Sequence, residues 1–174
     1  MWIAWRSMGG SMSDGEFATP LRKALPGQRW EGVDLLAYKE EGAAPFRAIT
    51  RQVLFHRSDL GCELRYFEVQ PGGYSTLERH EHVHAVVIAR GRGHCLVAND
   101  VRAIKERDLV TVPPMAWHQF RATMGEPLGF LCMVNVERDR PQLPGPDELA
   151  KLRSAPHIAA FLDGRVEPEE TATA

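Results

Sequence analysis

From Val33 to Val136 the chain is a succession of short β-like runs cut by turn chemistry, and this pattern limits the fold more than any other feature. The runs are Val33–Tyr38, Ile49–His56, Cys62–Gln70, Tyr74–His80, His84–Ala89, His94–Val97, Val101–Ile104, Leu109–Val112, His118–Ala122 and Leu128–Val136. Between them stand Ser58-Asp59-Leu60-Gly61, Pro71-Gly72-Gly73, Gly91-Arg92-Gly93, Asn99-Asp100, Pro113-Pro114 and Gly125-Glu126-Pro127. Gly, Pro, Asn and Asp end a strand because they accept or impose backbone angles that a pleated strand lacks. Short strands at near-regular spacing predict an antiparallel sandwich or barrel rather than βαβ units.

The two ends differ from this middle. Residues 1–28 carry Gly, Ser and Met without periodicity and read as a flexible arm, and Met8 and Met12 leave open a later natural start. Residues 29–140 read as the barrel domain. Residues 141–174 read as a helical cap and tail. Past Pro141, Pro144 and Pro146, Asp147–Arg153 reads as a short helix with an acidic first turn, and a second follows Ser154 with Pro156 near its first position. Phe161 and Leu162 face inward in that reading. The closing EPEETATA is polar and reads as disordered.

Size and charge exclude several classes of function. A chain of 174 residues is one domain with room for a core. A formal net charge of −2 gives no electrostatic case for nucleic acid or an anionic membrane. No apolar run reaches the ~20 residues that span a bilayer, and the first residues lack the apolar core of a secretory signal. Cys62, Cys95 and Cys132 are odd in number and widely spaced, which fits free thiols in a reducing cytoplasm.

Two stretches carry the chemistry. In PGGYSTLERHEHVHAVVIARGRG the order is Gly72, Glu78, His80, His84, Gly91; in ERDLVTVPPMAWHQFRA it is Asp108, Pro113, His118. Residues two apart on a strand share a face at roughly 6.7 Å, so Glu78 and His80 can serve one ion. On a straight strand His84 lies too far away to join them. It becomes a ligand only if the chain turns back at Glu81-His82-Val83 and His84 opens the next strand.

These stretches resemble the two-part signature of the cupin family, and that resemblance implies such a turn. It implies an all-β double-stranded β-helix, a jelly-roll barrel, here with a short C-terminal helical segment. It also implies a divalent metal held by Glu78, His80, His84 and His118. Compared with the common cupin order, Glu78 stands first and His84 takes the place of the usual Glu. Arg107 and Met115 stand where glycines are usual, and Ala122 where Asn is usual. His82 reads as a solvated turn residue, and as the substitute ligand should Glu78 turn away.

Three neutral imidazoles and a carboxylate suit Fe(II) or Mn(II), with Ni, Zn or Cu also compatible. In an octahedral ion four protein ligands leave two positions for substrate or dioxygen, whereas a four-ligand tetrahedral zinc is closed. The expectation is a homodimeric, cytoplasmic, metal-dependent enzyme of dioxygenase type acting on a small organic molecule. Glu78 would lower the charge of the ion and move aside as a base. Two alternatives stay open: a non-catalytic cupin that binds or senses a metal or small ligand, and an oxygen-independent isomerase or lyase.

Other residues attract a functional label. Gly91-Arg92-Gly93 reads as a hairpin turn rather than a phosphate loop, since no helix follows it. Trp117 and Phe120 flank His118 and read as packing, one of them near a pocket mouth. Tyr66 and Tyr74 are candidates for ligand contact. Cys132 reads as a buried inert thiol.

Overall fold

A computed structural model describes residues 21–39, 44–57 and 59–166. The first 20 residues of the expected arm and the closing EPEETATA lie outside the described residues. The chain divides into two compact units, Met1–Gly32 and Val33–Ala174. In the first, β1 (Ala24–Leu25) pairs antiparallel with β2 (Arg29–Trp30), so residues 21–28 include one arm of a small hairpin.

The second unit holds β3 (Leu36–Ala37), β4 (Arg47–Arg57), β5 (Cys62–Tyr74), β6 (His84–Val97), β7 (Asp100–Lys105), β8 (Leu109–Val112), β9 (His118–Ala122) and β10 (Leu128–Asn135). Two helices follow, α1 (Pro146–Arg153) and α2 (Pro156–Leu162). β8 and β9 fall where the pattern places them, and His84 opens β6 as the turn argument requires. The expected strand Val33–Tyr38 is reduced to Leu36–Ala37, which pairs with the edge of β4.

Two expected turns are not turns. β5 runs through Pro71-Gly72-Gly73 and β6 runs through Gly91-Arg92-Gly93, so neither segment ends a strand. Gly91 supplies φ +72 inside β6, and a Cβ there would lie 1.8 Å from the carbonyl oxygen of Pro127. The glycine lets β6 bend against β10, and the register between these strands slips between Gly129 and Phe130.

That bend makes the barrel. The first half of β6 lies between β8 and β10; its second half lies between β7 and β9. β5 pairs with β10 along Cys62–Val69 and meets β9 at Tyr74 opposite Arg121. The ring β5–β10–β6–β9 therefore closes on itself, and β4, β7 and β8 pair onto it from outside the ring. Inside it, Phe67, Val69, Val86, Ile88, Val112, Phe120, Leu128 and Phe130 form a continuous buried core. Phe130 stacks on Phe67 at 5.2 Å and on Phe120 at 4.8 Å between ring centroids.

The helices close over one outer patch. Leu152, Ile158 and Phe161 bury against Leu77 and Leu96, each large apolar side chain contributing roughly 1.5–3 kcal/mol. Both helices carry Pro at the start, where no backbone N–H is lost, and α1 has Asp147 and Glu148 in its first turn. Phe161 is buried as expected and Leu162 half-buried. Arg79 lies over the Trp117 ring at 4.4 Å and bonds Glu148 at 2.8 Å, tying α1 to the chain beside His80.

Candidate metal centre

After β5 the chain leaves the ladder, and single backbone bonds stitch it to the second histidine stretch. Glu78 N–H donates to the His118 carbonyl at 3.2 Å and His118 N–H to the Glu78 carbonyl at 2.9 Å. Met115 N–H donates to the His80 carbonyl at 2.7 Å. The chain then reverses over Glu81-His82-Val83. That reversal lacks Gly and Pro because Asp139, from beyond β10, supplies the missing acceptor. Its carboxylate takes the Glu81 N–H at 2.9 Å, the His82 N–H at 3.2 Å and the His82 Nδ1–H at 2.6 Å.

His80, His84 and His118 each offer a ring nitrogen, and these atoms lie within 4.8 Å of one another. Ring centroids are 4.6 Å apart for His80 and His84, 4.8 Å for His80 and His118, and 5.5 Å for His84 and His118. Each ring is oriented through Nδ1. His80 donates from Nδ1 to the His82 carbonyl at 2.7 Å, and His118 donates to the Ala116 carbonyl at 3.0 Å. His84 Nδ1 meets Cys132 Sγ at 3.3 Å. A carbonyl partner fixes the proton on Nδ1 and leaves the Nε2 lone pair to point elsewhere. Nε2 of His80 and of His84 are both buried without a hydrogen-bond partner.

Burial keeps all three rings neutral. His118 is pushed down to about 4, and His80 and His84 are also held below the usual imidazole range. For His84 and His80, desolvation is reinforced by neighbouring histidines. Buried, uncharged imidazoles with unpaired lone pairs are what a divalent cation requires, and an uncompensated buried acceptor is otherwise costly. The donor set fits a metal ion.

Glu78 is buried beside these rings, 7% exposed. Its Oε2 pairs with Lys39 Nζ, and its oxygens are not in the group that closes within 4.8 Å. His82 is not a solvated turn residue. Its side chain is only 8% exposed, held by Asp139, and its ring stacks on His80 at 3.6 Å and 6°. With Asp139 it forms a second group around His80 that could hold an ion.

Two small adjoining cavities open beside these rings. One, of about 140 Å³, is lined by Lys39, Glu78, His80, His82 and His84 together with Arg51, Arg65, Arg138 and Asp139. The other, of about 30 Å³, lies among His84, His118, Phe120, Phe130 and Cys132. Phe120 thus walls the centre, whereas Trp117 packs with the helices. Tyr66 donates to Glu68 and Tyr74 lies under the Arg121 guanidinium; neither lines these cavities. The Cys132 thiol is pushed up to about 12 by burial, in keeping with an inert thiol. Lys39, Asp139 and the three arginines went unread in the sequence, because each reaches the centre from a distant segment.

A model of the cupin domain matches residues 65–134, which span β5 to β10. A 1-methylthio-D-xylulose 5-phosphate methylsulfurylase of Rhodospirillum rubrum is 61% identical over 153 residues, covering 88% of this chain and 98% of its own. A crystal structure of a cupin-2 domain from Rhodospirillum rubrum is 60% identical with a TM-score of 0.77, covering 86% of this chain and all of its own. A cupin 2 conserved barrel protein from Rhodopseudomonas palustris is 56% identical, also at 0.77, covering 81% of this chain and 97% of that one. With the closed ring of strands and the histidines inside it, these likenesses establish that the chain belongs to the cupin family.

Proposed function

We propose that the protein is a metal-dependent enzyme that removes the methylthio group from a 1-methylthio-2-ketopentose phosphate and passes it to a thiol. The observation that carries this is the trio of converging imidazoles, two of them with a buried Nε2 that has no partner, in a chain 61% identical to a methylsulfurylase. The expected dioxygenase chemistry finds no support in that relative. An oxygen-independent reaction, weighed in the sequence reading as an isomerase or lyase, agrees better with it.

His80, His84 and His118 would hold a first-row divalent ion, with Mn(II) and Fe(II) suited to imidazoles plus substrate oxygens. Such an ion supplies Lewis acidity toward a carbonyl and an adjacent hydroxyl. In the substrate the sulfur is attached at C1, next to the C2 ketone. The thiol sulfur forms a bond to the methylthio sulfur, the C1–S bond breaks, and its electron pair passes into the C1–C2–O2 system. The thiol gives up its proton and C1 gains one, leaving a methyl disulfide and a 1-deoxy-2-ketose phosphate.

The chain's own groups provide for the proton. Glu78 is buried in the cavity wall with Lys39 on its carboxylate, so it can carry a proton toward C1 while Lys39 balances the charge left behind. Phe67, Phe120 and Phe130 keep water from the inner side, which protects an electron-rich carbon from random protonation.

The test is incubation of the Mn(II)- or Fe(II)-loaded protein, with and without air, with 1-methylthio-D-xylulose 5-phosphate and a small thiol, followed by proton NMR. The S-methyl resonance should move to that of a disulfide in both atmospheres. Consumption only in air, or none with either metal, would overturn the proposal.

A further inference from the structure

Three arginines in the cavity wall have more positive charge than the fold itself uses. Arg65 on β5 points to the same face as Phe67 and Val69, which lie in the core. Arg51 on β4 stands opposite Phe67 and one diagonal from Arg65. Arg138 follows β10, next to Asp139. All three line the cavity that holds His80 and His84.

Glu63 is the carboxylate that answers this group. Arg65 Nε bonds its Oε1, Arg138 Nη1 lies 3.6 Å from that oxygen, and His56 Nδ1 lies 3.1 Å from Oε2. Glu78 is engaged by Lys39 and Asp139 by His82. The Arg51 side chain makes no hydrogen bond or ion pair among the described residues, and its Nε is buried without a partner. With Lys39 the arginines make four cations against Glu63, Glu78 and Asp139, which leaves one positive charge in excess at the cavity wall. The guanidinium of Arg51 is further held below its ordinary value by burial and by Arg65, and that of Arg138 by burial, Arg65 and Arg51. Like charges gathered on one cavity wall are stabilised by an anion between them, and an arginine fork matches phosphate oxygens.

We infer that Arg51, Arg65 and Arg138 form an anion subsite that receives the terminal phosphate of the substrate, with Arg51 as its unpaired donor. The charge fits, since a phosphate monoester carries about −1.5 to −2 at neutral pH. A sugar engaged through its C2 and C3 oxygens at the histidines extends its remaining carbons along the same cavity. The subsite would therefore set both the register of C1 and the preference for phosphorylated over free sugars. This deepens the proposed function and depends on it only for the identity of the ligand that bears the phosphate.

The test compares wild type with Arg51→Gln and Arg51→Lys, using inorganic phosphate as probe in calorimetric titration, and then the phosphorylated and unphosphorylated methylthio sugars in turnover. Arg51→Gln should weaken phosphate binding roughly ten- to hundred-fold, with Arg51→Lys in between. Metal content and melting temperature should stay at the wild-type level or, for temperature, rise, because Arg51 has no partner to lose. KM for the phosphorylated sugar should rise toward that for the free sugar. Equal phosphate affinity in wild type and Arg51→Gln, or no phosphate binding by wild type at millimolar concentration, would overturn the inference. Arg51-dependent phosphate binding without turnover of the thioether would sustain the subsite and count against the proposed reaction.

Discussion

The carboxylate of Asp139 receives the Nδ1–H of His82 at 2.6 Å, and the ring so fixed lies flat against His80. One side chain from beyond β10 thereby shapes the turn between Glu78 and His84, orients His82 and backs a candidate ligand. The same carboxylate accepts two backbone N–H groups, which is why its pKa is held well below the usual carboxylate range.

Replacing Asp139 by Ala should loosen the turn and release His82 to solvent. Metal affinity is expected to fall roughly ten-fold or more, as for other groups that orient ligands indirectly. Equilibrium dialysis of Mn(II) against Asp139→Ala and Asp139→Asn measures this, and the Asn variant should retain part of the affinity because its amide oxygen still accepts.

Acid should destabilise the metal-free protein in a defined window. The three histidines have folded pKa values below the unfolded value of about 6.5. Between those limits the unfolded chain binds more protons, so stability rises with pH and is lost as pH falls. The contribution of His118 is complete above about pH 6.5 and lost on descent toward about 4. Urea midpoints of metal-free wild type between pH 7.5 and 4.5 should fall more steeply than those of a His118→Gln variant.

Arg107 and Met115 occupy positions where cupins commonly carry glycine, and both adopt left-handed backbone, φ +76 and φ +56. The fold retains the geometry without the residue suited to it, at a cost of roughly 1 kcal/mol each. Arg107 is on the surface, with its side chain 91% exposed. Arg107→Gly should therefore raise stability by a few tenths to about 1 kcal/mol, net of the added freedom of the unfolded chain. Thermal melts check it.

The thiols should differ sharply in reactivity. Cys132 and Cys95 are buried, with values pushed up to about 12 and about 11 by desolvation, while Cys62 is half-buried. Titration of the native protein with a chromogenic disulfide at pH 8 should release about one equivalent, from Cys62, and about three after unfolding. Rapid reaction at Cys132 would make it a competitor for the role of thiol acceptor.

What the sequence revealed and what it hid follow from range. β8 and β9 were legible because local alternation and turn residues decide them, whereas the opening of β6 at His84 followed from the cupin resemblance. Gly91 was misread because a hairpin and a bend inside a strand ask for the same positive φ. The difference is made by the Pro127 carbonyl, which packs against it from β10's approach. His80, His84 and His118 were legible through the resemblance of their two stretches to the cupin signature, since spacing alone leaves His84 out of reach on a straight strand. Asp139 lies 57 residues from His82 and Lys39 lies 39 residues before Glu78, in segments with no motif to connect them. Arg51 and Arg65 lie in expected strands with no motif to mark them, and only the register of β4 against β5 brings them to one face.

The central claim is that one cation is held by His80, His84 and His118, and metal content after purification and reloading tests it most directly. Plasma emission analysis of the Mn(II)-loaded protein should give about one ion per chain for wild type. Separate His80→Ala, His84→Ala and His118→Ala variants, each verified as folded by circular dichroism, should each fall close to zero. Full occupancy in all three variants would contradict the account.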